Sequence, residues 1–272
     1  MNMKKKVAVV FGTRPEAVKM APVIKELQKH EDIETKVIVT AQHREMLDQF
    51  LKLFDITPDS DLDIMEPNQT LTRITTKALE GLEKLFSVEK PDLVLTQGDT
   101  TTSFVAALAA FYQKAAVGHV EAGLRTDNKY DPYPEEMNRR LITTLGDLNF
   151  APTTVSAANL IKNGVEKDKI FITGNTVIDA LLYIAGREDI PIPDEVRNCL
   201  MPGKRIILAE AHRRENLGVP MENICQAMLD LVRDFPDTQL VFSVHKNPKV
   251  RETVFGMLQG KERITLLEPV DY

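Results

Sequence analysis

Residues 6–27 read KVAVVFGTRPEAVKMAPVIKEL, and the architecture follows from this stretch. The apolar run Val7 to Phe11 has the length and β-branched content of a buried strand. Gly12-Thr13-Arg14 interrupts it, and Ala17, Met20, Ala21, Ile24 and Leu27 then recur at steps of three and four, which is one face of a helix. Pro15 suits the first helical turn, where a missing N–H costs nothing. A strand, a tight turn and a helix make the first half of a parallel crossover unit.

The same alternation continues outward. Thr35 to Thr40, Asp92 to Thr96, Ala116 to Glu121 and Ile170 to Thr173 read as further strands. Helical periodicity covers Thr70 to Phe86, Thr101 to Tyr112, Pro134 to Leu145, Thr154 to Asn163 and Thr176 to Ala185. The pattern predicts a Rossmann-like, doubly wound α/β domain over residues 1–186. Residues 187–203, with Pro191, Pro193 and Pro202 among polar residues, read as a connector. A new pattern fills residues 204–272: strands at Arg205 to Ala209, Gln239 to Val244 and Ile264 to Leu267, and helices at Met221 to Asp234 and Pro248 to Leu258. Three strands make half of a self-sufficient doubly wound domain. This predicts a second, incomplete Rossmann-like domain, either shortened or completed by a partner.

Composition narrows the function classes. The 272 residues carry 34 basic and 40 acidic side chains, a formal charge of −6, so no general attraction to nucleic acid or an anionic membrane is available. An anionic ligand must therefore be held by a local cluster. The longest apolar run, Phe104 to Tyr112, is about half of a bilayer span. Val7 to Phe11 is too short for the core of a signal peptide. Cys199 and Cys225 stand apart with no metal-ligand spacing, which points to a reduced, cytoplasmic setting and away from zinc. No GxGxxG follows a strand and no GxxxxGK[ST] occurs, so neither a nicotinamide fingerprint nor a P-loop is present, and no cofactor or metal is expected.

The chemistry-bearing residues cluster at predicted strand ends, where open α/β sheets bind ligands. After the first strand, Gly12 allows a sharp turn, and a helix N-terminus with Arg14 and Lys19 offers a place for an anion. A plain turn with solvated charges would leave the same trace. Asp99, in Gln97-Gly98-Asp99-Thr100-Thr101-Thr102, is either a ligand-facing carboxylate or a helix cap, or both. The densest segment runs from His119-Val120-Glu121-Ala122-Gly123-Leu124-Arg125 to Tyr133-Pro134-Glu135-Glu136-Met137-Asn138-Arg139-Arg140. There Glu121 and Glu135 can join Asp99 as general acids and bases, while Glu136 reads as a first-turn residue favoured by the helix dipole. In the second domain His212-Arg213-Arg214-Glu215-Asn216 and Val244-His245-Lys246-Asn247 each follow a strand and suggest a diphosphate clamp.

These segments, together with Gln42-His43-Arg44 and Gly174-Asn175-Thr176, resemble the bacterial non-hydrolysing UDP-N-acetylglucosamine (UDP-GlcNAc) 2-epimerases, in order and over essentially the whole chain. The resemblance implies a two-domain, glycosyltransferase-B-like fold with the sugar nucleotide in the interdomain cleft. It implies inversion at C2 of UDP-GlcNAc to give UDP-N-acetylmannosamine (UDP-ManNAc) for cell-surface polysaccharide, by elimination and re-addition of UDP. Asp99, Glu121, Glu135 and His212 match its catalytic residues, and Arg14, Lys19, Arg213 and Asn216 its substrate-binding ones. Gln42, His43, Arg213 and His245 match a site where a second UDP-GlcNAc acts as activator. Asn68 stands there in place of a basic residue, Glu45 replaces the Gln of some members, and Glu210 stands for a more usual Thr. The resemblance further implies a homodimer, and family members extend beyond this length. The alternatives are a hydrolysing epimerase, a glycosyltransferase with the same cleft, or a chain that binds without turnover.

Overall fold

A computed structural model describes residues 4–41, 44–66, 69–213 and 216–269. The chain divides into two compact units, Met1–Arg187 and Glu188–Tyr272.

The first unit is built on seven parallel strands: β1 (Lys5–Phe11), β2 (Ile33–Val39), β3 (Ser60–Asp61), β4 (Leu93–Gln97), β5 (Ala116–Val120), β6 (Leu148–Ala151) and β7 (Ile170–Ile172). Their order in the sheet is β3-β2-β1-β4-β5-β6-β7. The order reverses direction between β1 and β4, which opens a crevice at the carboxyl ends of these two strands. The connecting helices are α1 (Arg14–Leu27), α2 (Arg44–Leu53), α3 (Leu71–Glu89), α4 (Thr101–Tyr112), α5 (Glu135–Leu145), α6 (Thr154–Lys162) and α7 (Thr176–Ala185).

Strand alternation sorts the core into two layers. Val7, Val9 and Phe11 pack with Ala17, Met20 and Ile24 of α1 and Leu47, Phe50 and Phe54 on and after α2. Ala8 and Val10 face the other way, onto Ala78, Leu82 and Phe86 of α3 and Val105, Ala106 and Ala109 of α4. Because both faces of β1 are covered, the strand reads as one continuous apolar run.

In the second unit, β8 (Arg205–Ala209), β9 (Thr238–Ser243) and β10 (Ile264–Leu267) form a parallel sheet in the order β10-β9-β8, with α9 (Val219–Asp234) and α10 (Pro248–Leu258). Its core joins Met221 and Cys225 to Phe242, Val244, Val250, Val254 and Leu258. The stretch 187–203 is more than featureless chain. It contains α8 (Asp194–Cys199), whose end is fastened to β9 through Gln239: Nε2 donates to Cys199 O at 2.7 Å, and Oε1 accepts from Met201 N–H at 2.7 Å. Among the described residues no helix is long and apolar enough to cross a membrane.

Two local features fix the crevice. Gly12 was expected for its turning freedom, but its φ lies outside the left-handed region and the real requirement is space. A Cβ on Gly12 would stand 2.1 Å from Thr40 Oγ1 and 2.8 Å from Thr102 Oγ1. The second feature is His119 on β5, fully buried, whose Nε2–H donates to Gly98 O at 2.7 Å while Nδ1 has no partner among the described residues. Burial disfavours the imidazolium and brings the His119 pKa down to about 4.

Gly12→Ala is expected to lower unfolding free energy by about 1–3 kcal/mol through overpacking against Thr40 and Thr102, read as a lower urea midpoint. His119 yields a pH prediction. Between pH 6.5 and about 4 the unfolded chain binds a proton at this histidine and the folded chain does not, so acidification across that window removes stability. A His119→Asn variant is expected to lose about 3 kcal/mol less than the unaltered chain between pH 7 and pH 4 in unfolding titrations. Parallel pH profiles for the two proteins would refute it.

Candidate active site

The helix that follows β1 does not present an empty anion site. Thr13 caps α1, and Glu16 at its third position folds back in a capping box. The Glu16 carboxylate is buried, and its Oε2 accepts from Gly12 N–H at 3.1 Å, Thr13 N–H at 2.8 Å and Thr13 Oγ1 at 2.7 Å. The hydroxyls of Thr100 and Ser103 each lie 2.8 Å from its Oε1. The anion at this turn is thus the chain's own carboxylate, which corrects the expectation of amides left open for a ligand. Burial pushes the Glu16 pKa up, against the hydrogen bonds from Thr13, Ser103, Thr100 and Gly12 that pull it down. Arg14 is exposed, with its guanidinium carbon 5.0 Å from the centre of the Phe50 ring.

Glu121 follows β5 directly and adopts φ 64°, a left-handed conformation that costs a non-glycine residue roughly 1 kcal/mol or more. Three side chains converge on its carboxylate. Lys19 Nζ of α1 lies 2.6 Å from Oε2, Gln97 Nε2 at the end of β4 donates to the same oxygen, and Asn175 Nδ2 donates to Oε1 at 2.9 Å. Asn175 also caps α7 by accepting from Val177 N–H at 3.0 Å. Lys19, expected beside a diphosphate, is therefore engaged with Glu121.

Asp99 is not the cap of α4; Thr100 is, accepting from Ser103 N–H at 3.0 Å. The Asp99 side chain is left to meet Arg139 of α5, whose Nε and Nη2 lie 2.8 and 2.7 Å from Oδ2. Asn138 Nδ2 donates to Asp99 O at 2.8 Å. Glu135 opens α5, and its Oε2 is buried without a partner among the described residues. Glu136 lies in the first turn of α5, as the sequence suggested, but the helix dipole is not its only partner. It is fully buried and accepts from Arg140 at 2.8 Å, Thr126 N–H at 3.0 Å and Arg139 at 3.1 Å. Burial works against its ionisation, but these donors hold its pKa below the usual carboxylate value.

In the second unit the ends of β8 and β9 bring His212 and His245 together, with ring centroids 4.8 Å apart and planes at 18°. Glu210 Oε1 is 3.7 Å from His212 Nε2, and His245 Nδ1 accepts from Asn247 N–H at 3.0 Å. Arg213 is exposed, and Asn216 is half-buried in the turn before α9. Gln42, His43, Asn68, Arg214 and Glu215 lie outside the described residues.

Sequence reasoning assigned no role to Glu16, Gln97, Asn138, Arg139 or Asn175. Two of them left a signal: Thr13-Arg14-Pro15-Glu16 is a capping-box pattern, and Gln97 is a polar residue closing a buried strand. The long-range pairing of Arg139 with Asp99 left none.

Comparison with known proteins accords with this geometry. The family model described as UDP-N-acetylglucosamine 2-epimerase matches residues 25–272. The UDP-N-acetylglucosamine 2-epimerase of Bacillus subtilis is 52% identical over 99% of this chain and 70% of its own length. The Neisseria meningitidis UDP-GlcNAc 2-epimerase, solved bound to UDP-GlcNAc, superposes with a TM-score of 0.80 at 49% identity, over 98% of this chain and 73% of that one. The galactosyltransferase WaaB, at 13% identity and a TM-score of 0.57 over 98% of this chain and 68% of its own, shares the fold alone, which is glycosyltransferase-B-like. The chain spans about 70% of the length of the curated relatives it matches. With half of its residues shared along nearly its whole length, the chain belongs to the UDP-N-acetylglucosamine 2-epimerase family.

Proposed function

We propose that the chain epimerises UDP-GlcNAc at C2, reversibly and without hydrolysis, to give UDP-ManNAc. The observation that carries this reading is the near-50% identity to a relative solved with UDP-GlcNAc bound. The carboxylates Asp99, Glu121 and Glu135 around the crevice of the first unit support it. The C2 proton of the sugar is not acidic, so direct deprotonation is too slow. Breaking the C1–O bond gives UDP the bonding electron pair, C2 loses its proton to a carboxylate, and a C1=C2 double bond forms in 2-acetamidoglucal. Return of a proton to the opposite face of C2 and of the UDP oxygen to C1 completes the inversion.

The arrangement suggests roles. Glu135, with a buried oxygen that has no partner among the described residues, is the carboxylate open to take or give a proton. Glu121, held by three donors, is the fixed one. Arg139 gives Asp99 a counter-charge. By family resemblance His212 acts with them, while Arg14, Lys19, Arg213 and Asn216 hold the diphosphate and stabilise departing UDP. The same resemblance gives an activating UDP-GlcNAc to Gln42, His43, Arg213 and His245, and adds a homodimer; the two isolated cysteines support a cytoplasmic location.

Proton NMR of the protein with UDP-GlcNAc in D2O is expected to show deuterium entering C2 of both sugars while they stay attached to UDP. Free ManNAc with UDP would instead make it a hydrolysing enzyme, and an unchanged spectrum would overturn the reading. Glu135→Gln is expected to lower kcat by about 10²–10⁴-fold with little change in unfolding midpoint. Retention of full turnover would remove Glu135 from the mechanism.

A further inference from the structure

The first unit also contains a cationic cavity that none of Asp99, Glu121 and Glu135 lines. It has a volume of about 440 Å³ and lies between the carboxyl-terminal ends of α5 and α6. Along α5 its wall runs from Arg140, five positions after Glu135, to Gly146, eleven positions after it and about 16 Å away at the helical rise. Arg125, Arg140 and Lys169 line it against one lining carboxylate, Glu166. In a chain with a formal charge of −6, this is a local excess of positive charge.

The usual reason for cations at helix carboxyl ends is to satisfy the last carbonyls. These three do something else. Arg125 is half-buried, and its Nε donates to Asn163 Oδ1 at 2.7 Å, Nη1 to Leu124 O at 2.8 Å and Nη2 to Thr143 Oγ1 at 2.8 Å. Arg140 bonds Glu136 and Thr126 O, and Lys169 faces Glu166 at 3.4 Å. None of these donors meets a terminal carbonyl of α5 or α6. No carboxylate among the described residues lies within bonding distance of Arg125, whose three acceptors are all neutral. A guanidinium has five N–H donors, so two remain, and the Asn163 amide nitrogen has no acceptor among the described residues. A rigid guanidinium fork, an amide and a lysine around one cavity form a donor set suited to a tetrahedral anion.

We propose that this cavity is a binding site for a small phosphate-bearing anion, with Arg125 as its anchor and Lys169 and Asn163 as further contacts. The cavity exceeds the volume of a phosphate group alone and lies in the range of small-molecule sites, so a phosphate monoester fits as well as inorganic phosphate. The proposal does not depend on the epimerase reading, because its test uses no sugar nucleotide.

The test follows the arginine Nε–H signals by NMR, with the Arg125 signal assigned by Arg125→Lys. Inorganic phosphate and glucose 6-phosphate are titrated at constant ionic strength, with chloride as the control. The expected result is a saturable shift of the Arg125 signal with a Kd of about 1 mM or tighter for at least one of the two, weakened several-fold by Lys169→Met, which changes a half-exposed side chain outside the hydrophobic core. Tighter binding of glucose 6-phosphate would identify an ester as the ligand, and equal binding would identify phosphate itself. No shift, an equal shift with chloride, or a shift indifferent to Lys169→Met would each overturn the proposal.

Discussion

A carboxylate removed from water must find its hydrogen bonds in protein, and Glu16 finds all of them in two loops that are far apart in sequence. Gly12 and Thr13 close β1, while Thr100 and Ser103 open α4 after β4. One side chain therefore ties the two strand ends between which the sheet order reverses. Leaving it unsatisfied would cost several hydrogen bonds at once, so the loops are held in the spacing that satisfies it. Gly12 belongs to the same constraint: only a residue without Cβ lets Thr40 and Thr102 approach the turn. The fixed width of the crevice, and with it the placement of Asp99, depends on this local arrangement.

Much of the fold was legible because buried parallel strands are continuous apolar runs and their crossover helices are amphipathic. Thr101–Tyr112, Thr176–Ala185 and Pro248–Leu258 begin and end where periodicity and caps place them. One missed element, α2, carries an apolar stripe of Leu47, Phe50 and Leu51 that the reading passed over; the others lack those signals. β6 is four residues, with a buried Asn149 in the middle, and β3 is two residues at the sheet edge. α8 is a six-residue helix with no buried residue, so its sequence shows no apolar stripe.

The candidate site's residues could be named from the sequence, but not the contacts that hold them. Asp99 and Glu121 were placed by the rule that ligands meet open sheets at the carboxyl ends of strands, Glu135 by its place at a helix start, and His212 and His245 by the strand rule at adjacent strands. What holds these groups could not be read, because the partners are distant in the chain. Arg139 is 40 residues from Asp99, and Lys19 is 102 from Glu121. Local patterns also told only part: Glu136 is the first-turn acid that the sequence suggested, but its enclosure by Arg139, Arg140 and Thr126 was not read.

The three donors to Glu121 come from α1, from the end of β4 and from the cap of α7, segments that reach the crevice by separate connections. Functional side chains on loops commonly inherit the motion of the loop. Here the carboxylate is triangulated instead: a sway in any one segment is opposed by the other two, and only motion common to all three displaces it. The carboxylate on this left-handed residue is thereby held from three directions at once.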